Sequence, residues 1–296
     1  MGQPLLICLG ATKAGTSWLY RSLADHPDTS LPAVKELHYF DTFDAGPREK
    51  QLAAYRARLS AFEAARDEAG AAGRGWQARN MARRIADMRG TLSVMAGARD
   101  GDAGYLALMD EIGQGRLTAD MTPNYALADD GALARLAVLP GAVFVYLVRD
   151  PLARLWSHVR MQAERQRQPG EDVPKKANAT LWRILNRGQE THVLHRGDYA
   201  AAIARLEGTL PPDRFRVEVM ERLTTPSGWA AFCRWLGLAP SDADGTARVH
   251  EGPKIRMRGD LRVPALKMLK DQYAWARARF GDLPPPWADN MREALS

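Results

Sequence analysis

At 296 residues, of which 46% are apolar and 26% charged, the chain is long enough to bury a full hydrophobic core, and we expect a single domain over residues 1–296. The 41 Lys and Arg outnumber the 35 Asp and Glu, and the formal charge of +6 favours anionic ligands without distinguishing nucleotide, glycan, nucleic acid or lipid. Cys8 and Cys233 lie far apart in apolar runs, which argues against a disulfide framework and a zinc site and favours a reducing, cytoplasmic setting. No run approaches the roughly 18 apolar residues of a membrane span, which argues against a transmembrane protein.

The first predicted element is a strand that leads through a loop into a helix. Residues Leu5–Leu9 form a continuous apolar run that ends at Gly10, a pattern typical of a strand covered on both faces. Residues 17–23 bring apolar side chains onto neighbouring helical positions, and Asp25–Pro27 ends this helix. The segment therefore predicts a strand, a loop and a helix in succession.

A helical insertion is predicted over residues 47–117, where alanine and arginine dominate. Within it, 51–69 and 76–88 have the residue spacing of amphipathic helices. Two interpretations of the arginines remain open, a solvated helical face and a surface for an anionic acceptor. We expect these helices to form a cap inserted into the domain.

Two further strands are predicted in the second half of the chain. Ala142–Val148 is an apolar run that leads into a predicted helix over 152–164, and Phe215–Met220 alternates like a half-covered strand after a predicted helix over 199–210. The polar stretch 162–179 is predicted as a mobile surface loop. The alternation of strands and helices predicts an α/β fold, with a P-loop-type parallel sheet flanked by helices.

The loop Gly10–Ser17 joins a buried strand to a helix, where backbone N–H groups and the positive end of the helix can face a phosphate. Lys13 lies three positions after Gly10, whereas a Walker A loop carries its lysine directly before the final Ser or Thr. Lys13 can reach the bridging oxygen of an anhydride, and Thr16 and Ser17 can hydrogen-bond phosphate oxygens without holding magnesium. Taken alone, such a loop can also be a simple tight turn; its residues favour an anion site unlike that of kinases.

The run Lys13–Leu19 resembles the 5′-phosphosulfate loop of sulfotransferases that use PAPS as the sulfuryl donor. The resemblance implies PAPS as donor, PAP as product and no metal. For Trp18, packing in the core and stacking on the adenine both remain open. The resemblance implies these donor-binding residues in the loop: Lys13, Ala14, Gly15, Thr16, Ser17 and Trp18.

A second segment, Val145–Pro151 with the helix after it, resembles the strand and helix that bind the 3′-phosphate in the same family. The resemblance assigns this phosphate to Arg149, at the carboxyl end of the strand, and to Ser157 on the helix. Asp150 and Pro151 also have the character of a helix N-cap and first helical residue, and both interpretations can hold together. A basic C-terminal segment is a further candidate for closing over the 3′-phosphate: Lys254, Arg256, Arg258 and Gly259.

A third segment, Lys35–Asp41, is similar to the K-E-x-H-[FY]-F-D segment of the heparan sulfate O-sulfotransferase branch and its bacterial relatives. The resemblance implies Glu36 as the general base and His38 as an orienting group or alternate base. Considered without it, Glu36 could be a solvated carboxylate paired with its neighbouring lysine, and His38 a core histidine. Thr122–Tyr125 resembles a T-P-x-Y element of the family, but Met121 stands where several glycan-modifying members have lysine, which weakens the expectation of a heparan-like acceptor.

The resemblance covers residues 5–41 and 118–238 and leaves the predicted cap unmatched. It implies an enzyme that moves a sulfuryl group from PAPS to a hydroxyl or amine, with Glu36 taking the proton and Lys13 stabilising charge on the leaving phosphate. Glycan, lipid, small metabolite and protein tyrosine remain open as acceptors, and no nucleic acid is expected. Two alternatives remain, a P-loop-like kinase or NTPase and a basic protein that binds anionic polymers.

Overall fold

The computed structural model describes residues 4–245 and 255–295. Within them, four parallel strands form one sheet in the order β2-β1-β3-β4. Leu5 pairs with Thr118 and Ile7 with Asp120, which sets the register of the first two strands. The strands are β1 (Leu5–Gly10), β2 (Thr118–Asp120), β3 (Ala142–Val148) and β4 (Phe215–Val219).

The helices flank this sheet and confirm the predicted α/β class. Their bounds in the described residues are α1 (Thr16–Ala24), α2 (Ala45–Ala71), α3 (Gly75–Ala96), α4 (Ala103–Gly113), α5 (Asp130–Ala137), α6 (Pro151–Arg165), α7 (Val173–Arg187), α8 (Thr191–His195), α9 (Tyr199–Glu207), α10 (Met220–Leu223), α11 (Pro226–Trp235), α12 (Gly259–Met268), α13 (Lys270–Phe280) and α14 (Pro285–Leu295).

The burial of the strands follows their sequence patterns. Every residue of β1 is buried, as a continuous apolar run predicts, and β3 is buried except for one partly exposed residue. Strand β4 lies at the end of the sheet order and is only partly buried, which confirms its prediction as a half-covered strand. The two inner strands therefore supply most of the sheet's share of the hydrophobic core.

The described chain divides into two compact units. The first contains Met1–Leu9, Ser22–Val145 and Thr209–Arg216 as far as these are described. Within it, α2 packs on α3, α3 on α4, and α4 on β2. The predicted helices over 51–69 and 76–88 are real but longer than expected, and α4 was not predicted.

The second unit contains Gly10–Arg21, Tyr146–Gly208 and the described residues from Val217 onward. Helix α6 packs on α7, and α12 packs on both α7 and α14 around one apolar cluster. The Asp150 side chain accepts a hydrogen bond from Ala153 N (2.7 Å), and Pro151 is the first helical residue, which confirms the predicted start of α6.

The predicted loop over 162–179 is wrong at both ends. Helix α6 continues through Arg165, and α7 begins at Val173 after Asp172, whose side chain accepts from Lys175 N (3.0 Å). The polar residues on the outer face hid the apolar positions of α7, which recur at helical spacing and pack into the core. Only residues 166–172 lie outside the two helices. No helix in the described ranges is long and apolar enough to cross a bilayer.

Candidate functional site

The loop between β1 and α1 begins as a continuation of the sheet. Ala11 N donates to Leu147 O (2.8 Å), so the chain leaves β1 beside the end of β3. Lys13 then adopts a left-handed backbone conformation with φ of 70°, which costs a non-glycine residue free energy and is commonest at functional sites. Helix α1 starts at Thr16, so its positive N-terminal end adjoins the loop.

Gly15 is required by the packing of this loop. Its φ of 106° is one that other residues rarely adopt, and a Cβ placed on it would lie 2.3 Å from Met220 Sδ. Ala14 and Thr16 are buried beside it, whereas Lys13 and Ser17 are partly exposed. Lys13 and Ser17, both predicted to bind the donor, are therefore partly accessible to a ligand.

Trp18 is buried and belongs to the core of the second unit. Its indole Nε1 donates to Asp244 O (2.9 Å), and its ring meets Trp229 edge to face at a centroid distance of 5.5 Å. These contacts are those of the packing interpretation. A contact of Trp18 with the donor stays a prediction.

Arg149 follows β3 directly, and its backbone is fixed on both sides. Its N–H donates to Tyr199 Oη (3.2 Å), and Tyr199 Oη–H donates to Arg149 O (2.8 Å). The next amide, that of Asp150, donates to Glu221 Oε1 (3.1 Å). Ser157 lies farther along on α6 and, like Arg149, is partly exposed. The anchoring roles of Tyr199 and Glu221 were not predicted from the sequence, although both residues lie within the range 118–238 that resembles the family.

Positive charge gathers around His158, the residue after Ser157. Burial and, after it, the charges of Arg154, Arg196, His192 and Lys13 together lower the pKa of His158 to about 3. His158 is therefore neutral at neutral pH. Since Lys13 belongs to the loop and Arg154 to α6, the two segments that were predicted separately contribute charge to one region of the second unit.

Arg154 is a buried cation that the sequence analysis did not assign. Its guanidinium donates to Val193 O (3.0 Å) and lies against Gly197, where an added Cβ would come within 2.2 Å of it. Gly197 therefore leaves the room that the Arg154 guanidinium occupies. The sequence feature that could have indicated this contact is Gly197, which lies two residues before Tyr199.

Arg256 and Arg258 are exposed, and their described contacts are with α7 and α12. Arg258 N donates to Asn178 Oδ1 (2.8 Å), Asn178 Nδ2 donates to Arg256 O (3.2 Å), and Arg258 Nε donates to Asp260 Oδ1 (2.9 Å). Their place in the donor site stays a prediction. Lys254 lies outside the described residues.

The first unit contains the second candidate group, Glu36 and His38. His38 has a left-handed backbone with φ of 51°, and its imidazole lies between two carboxylates. Nδ1 donates to Asp41 Oδ2 (2.8 Å), and Nε2 is 3.5 Å from Glu36 Oε2. Lys35 Nζ donates to the other Glu36 oxygen (3.2 Å). Sequence analysis gave Asp41 no role, although it lies within the matched segment.

The electrostatics of this group make His38 the cation and Glu36 the anion. Burial lowers the pKa of His38, but hydrogen bonds and charge from Asp41 and Glu36 outweigh it and raise that pKa to about 9. Burial also opposes ionisation of Glu36, but His38 and Lys35 together lower its pKa to about 2. The Glu36 side chain is 43% exposed, so at neutral pH it is an accessible carboxylate beside an imidazolium.

The chain matches one known protein family and several solved structures. A family model described as the sulfotransferase family matches residues 4–216. The crystal structure of a sulfotransferase from Alicyclobacillus acidocaldarius has a TM-score of 0.60 at 20% identity, covering 97% of this chain and 100% of that one. That likeness shows the same fold. Among curated proteins, no match is found.

Two sulfotransferase domains are also similar to the chain. The domain of the Synechococcus PCC 7002 olefin synthase has a TM-score of 0.46 at 19% identity, covering 99% of this chain and 94% of that one. The domain of the curacin biosynthetic pathway has a TM-score of 0.48 at 19% identity, with 100% of this chain and 97% of that one covered.

The family match favours neither of the alternative functions, a kinase or NTPase and a polymer-binding protein. Because the family model covers most of its length, the chain belongs to the sulfotransferase family.

Proposed function

We propose that this sulfotransferase takes its sulfuryl group from PAPS and transfers it to a hydroxyl or amine of an acceptor. The observation that carries the proposal is that the loop begins beside the end of β3, where Ala11 N donates to Leu147 O (2.8 Å), two residues before Arg149. The charges of Lys13 in the loop and of Arg154 on α6 also both lower the pKa of His158. PAPS has anionic groups at both its 5′ and 3′ ends, and a donor of this kind needs two anion-binding elements rather than one. The loop and the start of α6 are suited to supply them.

The proposed roles follow the chemistry of each side chain. Lys13 and the backbone of residues 14–17 bind the 5′-phosphosulfate, while Arg149 and Ser157 bind the 3′-phosphate. Arg256 and Arg258 remain proposed as cations that close over the 3′-phosphate, and their exposure leaves their guanidinium groups accessible to a ligand. The fixed backbone of Arg149 supports its role, because an anchored arginine loses less freedom on binding an anion.

Glu36 is proposed as the general base and His38 as the group that orients it. A protonated imidazole has no lone pair with which to take a proton, and the carboxylates beside His38 favour its protonated form. Glu36 is ionised and accessible, so it can receive the proton of the acceptor. This arrangement supports the finer proposal that the chain is related in mechanism to the heparan sulfate O-sulfotransferase branch.

The proposed transfer breaks the S–O bond to the donor's phosphate and forms an S–O bond to a hydroxyl acceptor or an S–N bond to an amine acceptor. The acceptor oxygen or nitrogen attacks sulfur as its proton passes to Glu36, and the S–O bond to the 5′-phosphate breaks to release PAP. Lys13 stabilises the negative charge that grows on the phosphate oxygen as that bond breaks. No oxidant, reductant or metal enters this balance.

We also propose that α2, α3 and α4, which span the predicted insertion over 47–117, form a cap within a single sulfotransferase domain over 1–296. Several arginines of this region form ion pairs with nearby carboxylates, which supports the interpretation of a solvated face. The pairs are Arg66 with Asp67, Arg74 with Glu68, and Arg89 with Glu63. Glycan, lipid, small metabolite and protein tyrosine are the acceptor classes that an activity screen must separate.

The donor assignment is tested by calorimetry with PAP and ADP, each with and without magnesium. We expect PAP to bind with micromolar affinity without metal and more tightly than ADP, and Arg149→Ala to abolish that binding. Arg292→Ala is the matched control, because Arg292 is an exposed arginine of the same unit, paired with Asp289. A preference for ADP that requires magnesium contradicts the proposal.

We propose a cytoplasmic location on the evidence of the two cysteines. Cys8 and Cys233 are both buried and unbonded to each other, as in proteins of reducing compartments. Recovery of the protein with the cytoplasmic fraction of its source cells is the expected result. Recovery outside the cytoplasmic membrane contradicts it.

A further inference from the structure

The backbone around His38 is held by side chains of a distant segment. We call residues Lys35–Thr42 the base segment. Thr122 Oγ1 accepts hydrogen bonds from Leu37 N (3.0 Å) and His38 N (3.3 Å), and Tyr125 Oη accepts one from Tyr39 N (2.9 Å). Three consecutive amides of the base segment therefore donate to two hydroxyl groups rather than to carbonyl oxygens.

Asp120 determines which way those hydroxyl groups point. It is the last residue of β2 and is fully buried. Thr122 Oγ1–H donates to Asp120 Oδ1 (2.6 Å), and Tyr125 Oη–H donates to Asp120 Oδ2 (2.6 Å). Each hydroxyl has one proton, and because that proton is given to the carboxylate, the oxygen lone pairs are left to accept from the base segment. Tyr105 Oη donates a third bond to Asp120 (3.2 Å).

The segment that contains Thr122 and Tyr125 also contacts Asp41, the carboxylate on the opposite side of His38 from Glu36. Asn124 Nδ2 donates to Asp41 Oδ2 (2.6 Å), the oxygen that accepts from His38 Nδ1. Asn124 thus orients Asp41, while Thr122, two residues earlier, holds the backbone of His38. The left-handed conformation of His38 needs such external support, because a non-glycine residue does not favour it by itself.

We propose that Asp120, acting through Thr122 and Tyr125, is the positioning residue that holds His38 between Glu36 and Asp41 for catalysis. This inference rests on the proposed role of Glu36 and adds residues to which the resemblance assigned no function. None of the three needs to touch the acceptor. Their effect is on the orientation of the Glu36–His38 pair.

The charges around His38 support the proposal. Glu36 and Asp41 face it from the base segment, Asp120 interacts with it from β2, and the hydroxyl of Tyr55 on α2 donates to Glu36 O (2.7 Å). Burial raises the pKa of Asp120 to about 6, although its hydroxyl donors and the charge of His38 lower it. Asp120 is therefore ionised at neutral pH, and its charge favours protonated His38.

The test compares Thr122→Val with Thr122→Ser. Valine has the shape of threonine without the hydroxyl, whereas serine keeps the hydroxyl and loses only a methyl group. We expect the pKa of His38, followed by NMR of its imidazole, to fall from about 9 toward the usual 6.5 in Thr122→Val and to stay high in Thr122→Ser. We also expect kcat to fall on the order of tenfold to a hundredfold in Thr122→Val only, with an unchanged KM for PAPS.

Asp120→Asn and Tyr125→Phe provide independent variants should Thr122→Val fail to fold. Asp120→Asn should shift the His38 titration as far as Thr122→Val does, and Tyr125→Phe less far, because it releases one amide instead of two. A folded variant among these with a wild-type His38 titration overturns the proposal. The NMR result does not depend on turnover, so an active Glu36→Gln protein would disprove the role of Glu36 and leave the positioning inference to be decided separately.

Discussion

The loop Gly10–Ser17, here called the donor loop, and the base segment each contain a residue with a left-handed backbone, but they support that residue in different ways. Each holds a functional candidate in a left-handed backbone, Lys13 with φ of 70° and His38 with φ of 51°. The loop continues β1 directly and leads directly into α1, so its residues are consecutive in sequence, although it also meets the distant residues Leu147 and Met220. The base segment is supported by hydroxyl groups more than 80 residues away. Local sequence therefore describes the first region well and the second only in part.

The largest expected effect comes from removing the proposed base. Glu36→Gln keeps the size of the side chain but cannot take a proton, and we expect kcat to fall by roughly 10²–10⁴-fold with PAP affinity unchanged. Lys13→Ala should also abolish turnover, but with weaker binding of PAP, because Lys13 belongs to the donor loop. Glu49→Gln, at an exposed carboxylate of the same unit, is the control. A fully active Glu36→Gln protein would remove Glu36 from this role.

The packing of the loop is tested by Gly15→Ala. The added Cβ meets Met220 Sδ, and the backbone at φ of 106° is unfavourable for alanine, so we expect a loss of roughly 1–3 kcal/mol in the free energy of unfolding together with weaker PAP binding. Gly46→Ala has open space around its Cβ and lies in helix α2, so it should lower neither stability nor PAP binding. If Gly15→Ala binds PAP like the wild type in calorimetry, the loop does not depend on this close approach.

The charge of the base segment predicts a pH dependence. Because the pKa of His38 is raised, its ion pairs contribute fully to stability below its usual 6.5 and are lost as the pH rises through about 9. We expect kcat to decline over the same alkaline range, measured with saturating PAPS. In Asp41→Asn the decline should begin at lower pH, since one of the two carboxylates that hold the proton is gone. If kcat in Asp41→Asn declines at the same alkaline pH as in the wild type, the decline does not report deprotonation of His38.

The smallest expected effect distinguishes the two interpretations of Trp18. Trp18→Phe loses the hydrogen bond to Asp244 O and should cost about 1 kcal/mol in urea unfolding. If Trp18 serves only the core, PAP affinity is unchanged. A clear loss of PAP affinity in Trp18→Phe would instead favour stacking on the adenine.

Much of the second unit was open to prediction because its signals are consecutive in sequence. The apolar run of β3 predicts a buried strand, Asp150 and Pro151 predict a helix start, and all three lie where they were expected. The prediction of a loop over 162–179 was wrong because it also considered only local composition. The polar residues on the outer face of α7 dominated that composition, whereas its apolar residues pack into the folded core.

The sequence by itself determined the α/β class, the strand–loop–helix around Lys13 and the arginine after β3. Each of these depends on residues within one turn or one strand, where backbone preference and apolar spacing act directly. Only the tertiary structure decided that His38 is the cation beside Glu36 and that Asp120 lies beneath the base segment. Protonation and hydrogen-bond direction depend on charges and donors within a few ångströms in space, and those partners come from segments that are far apart along the chain.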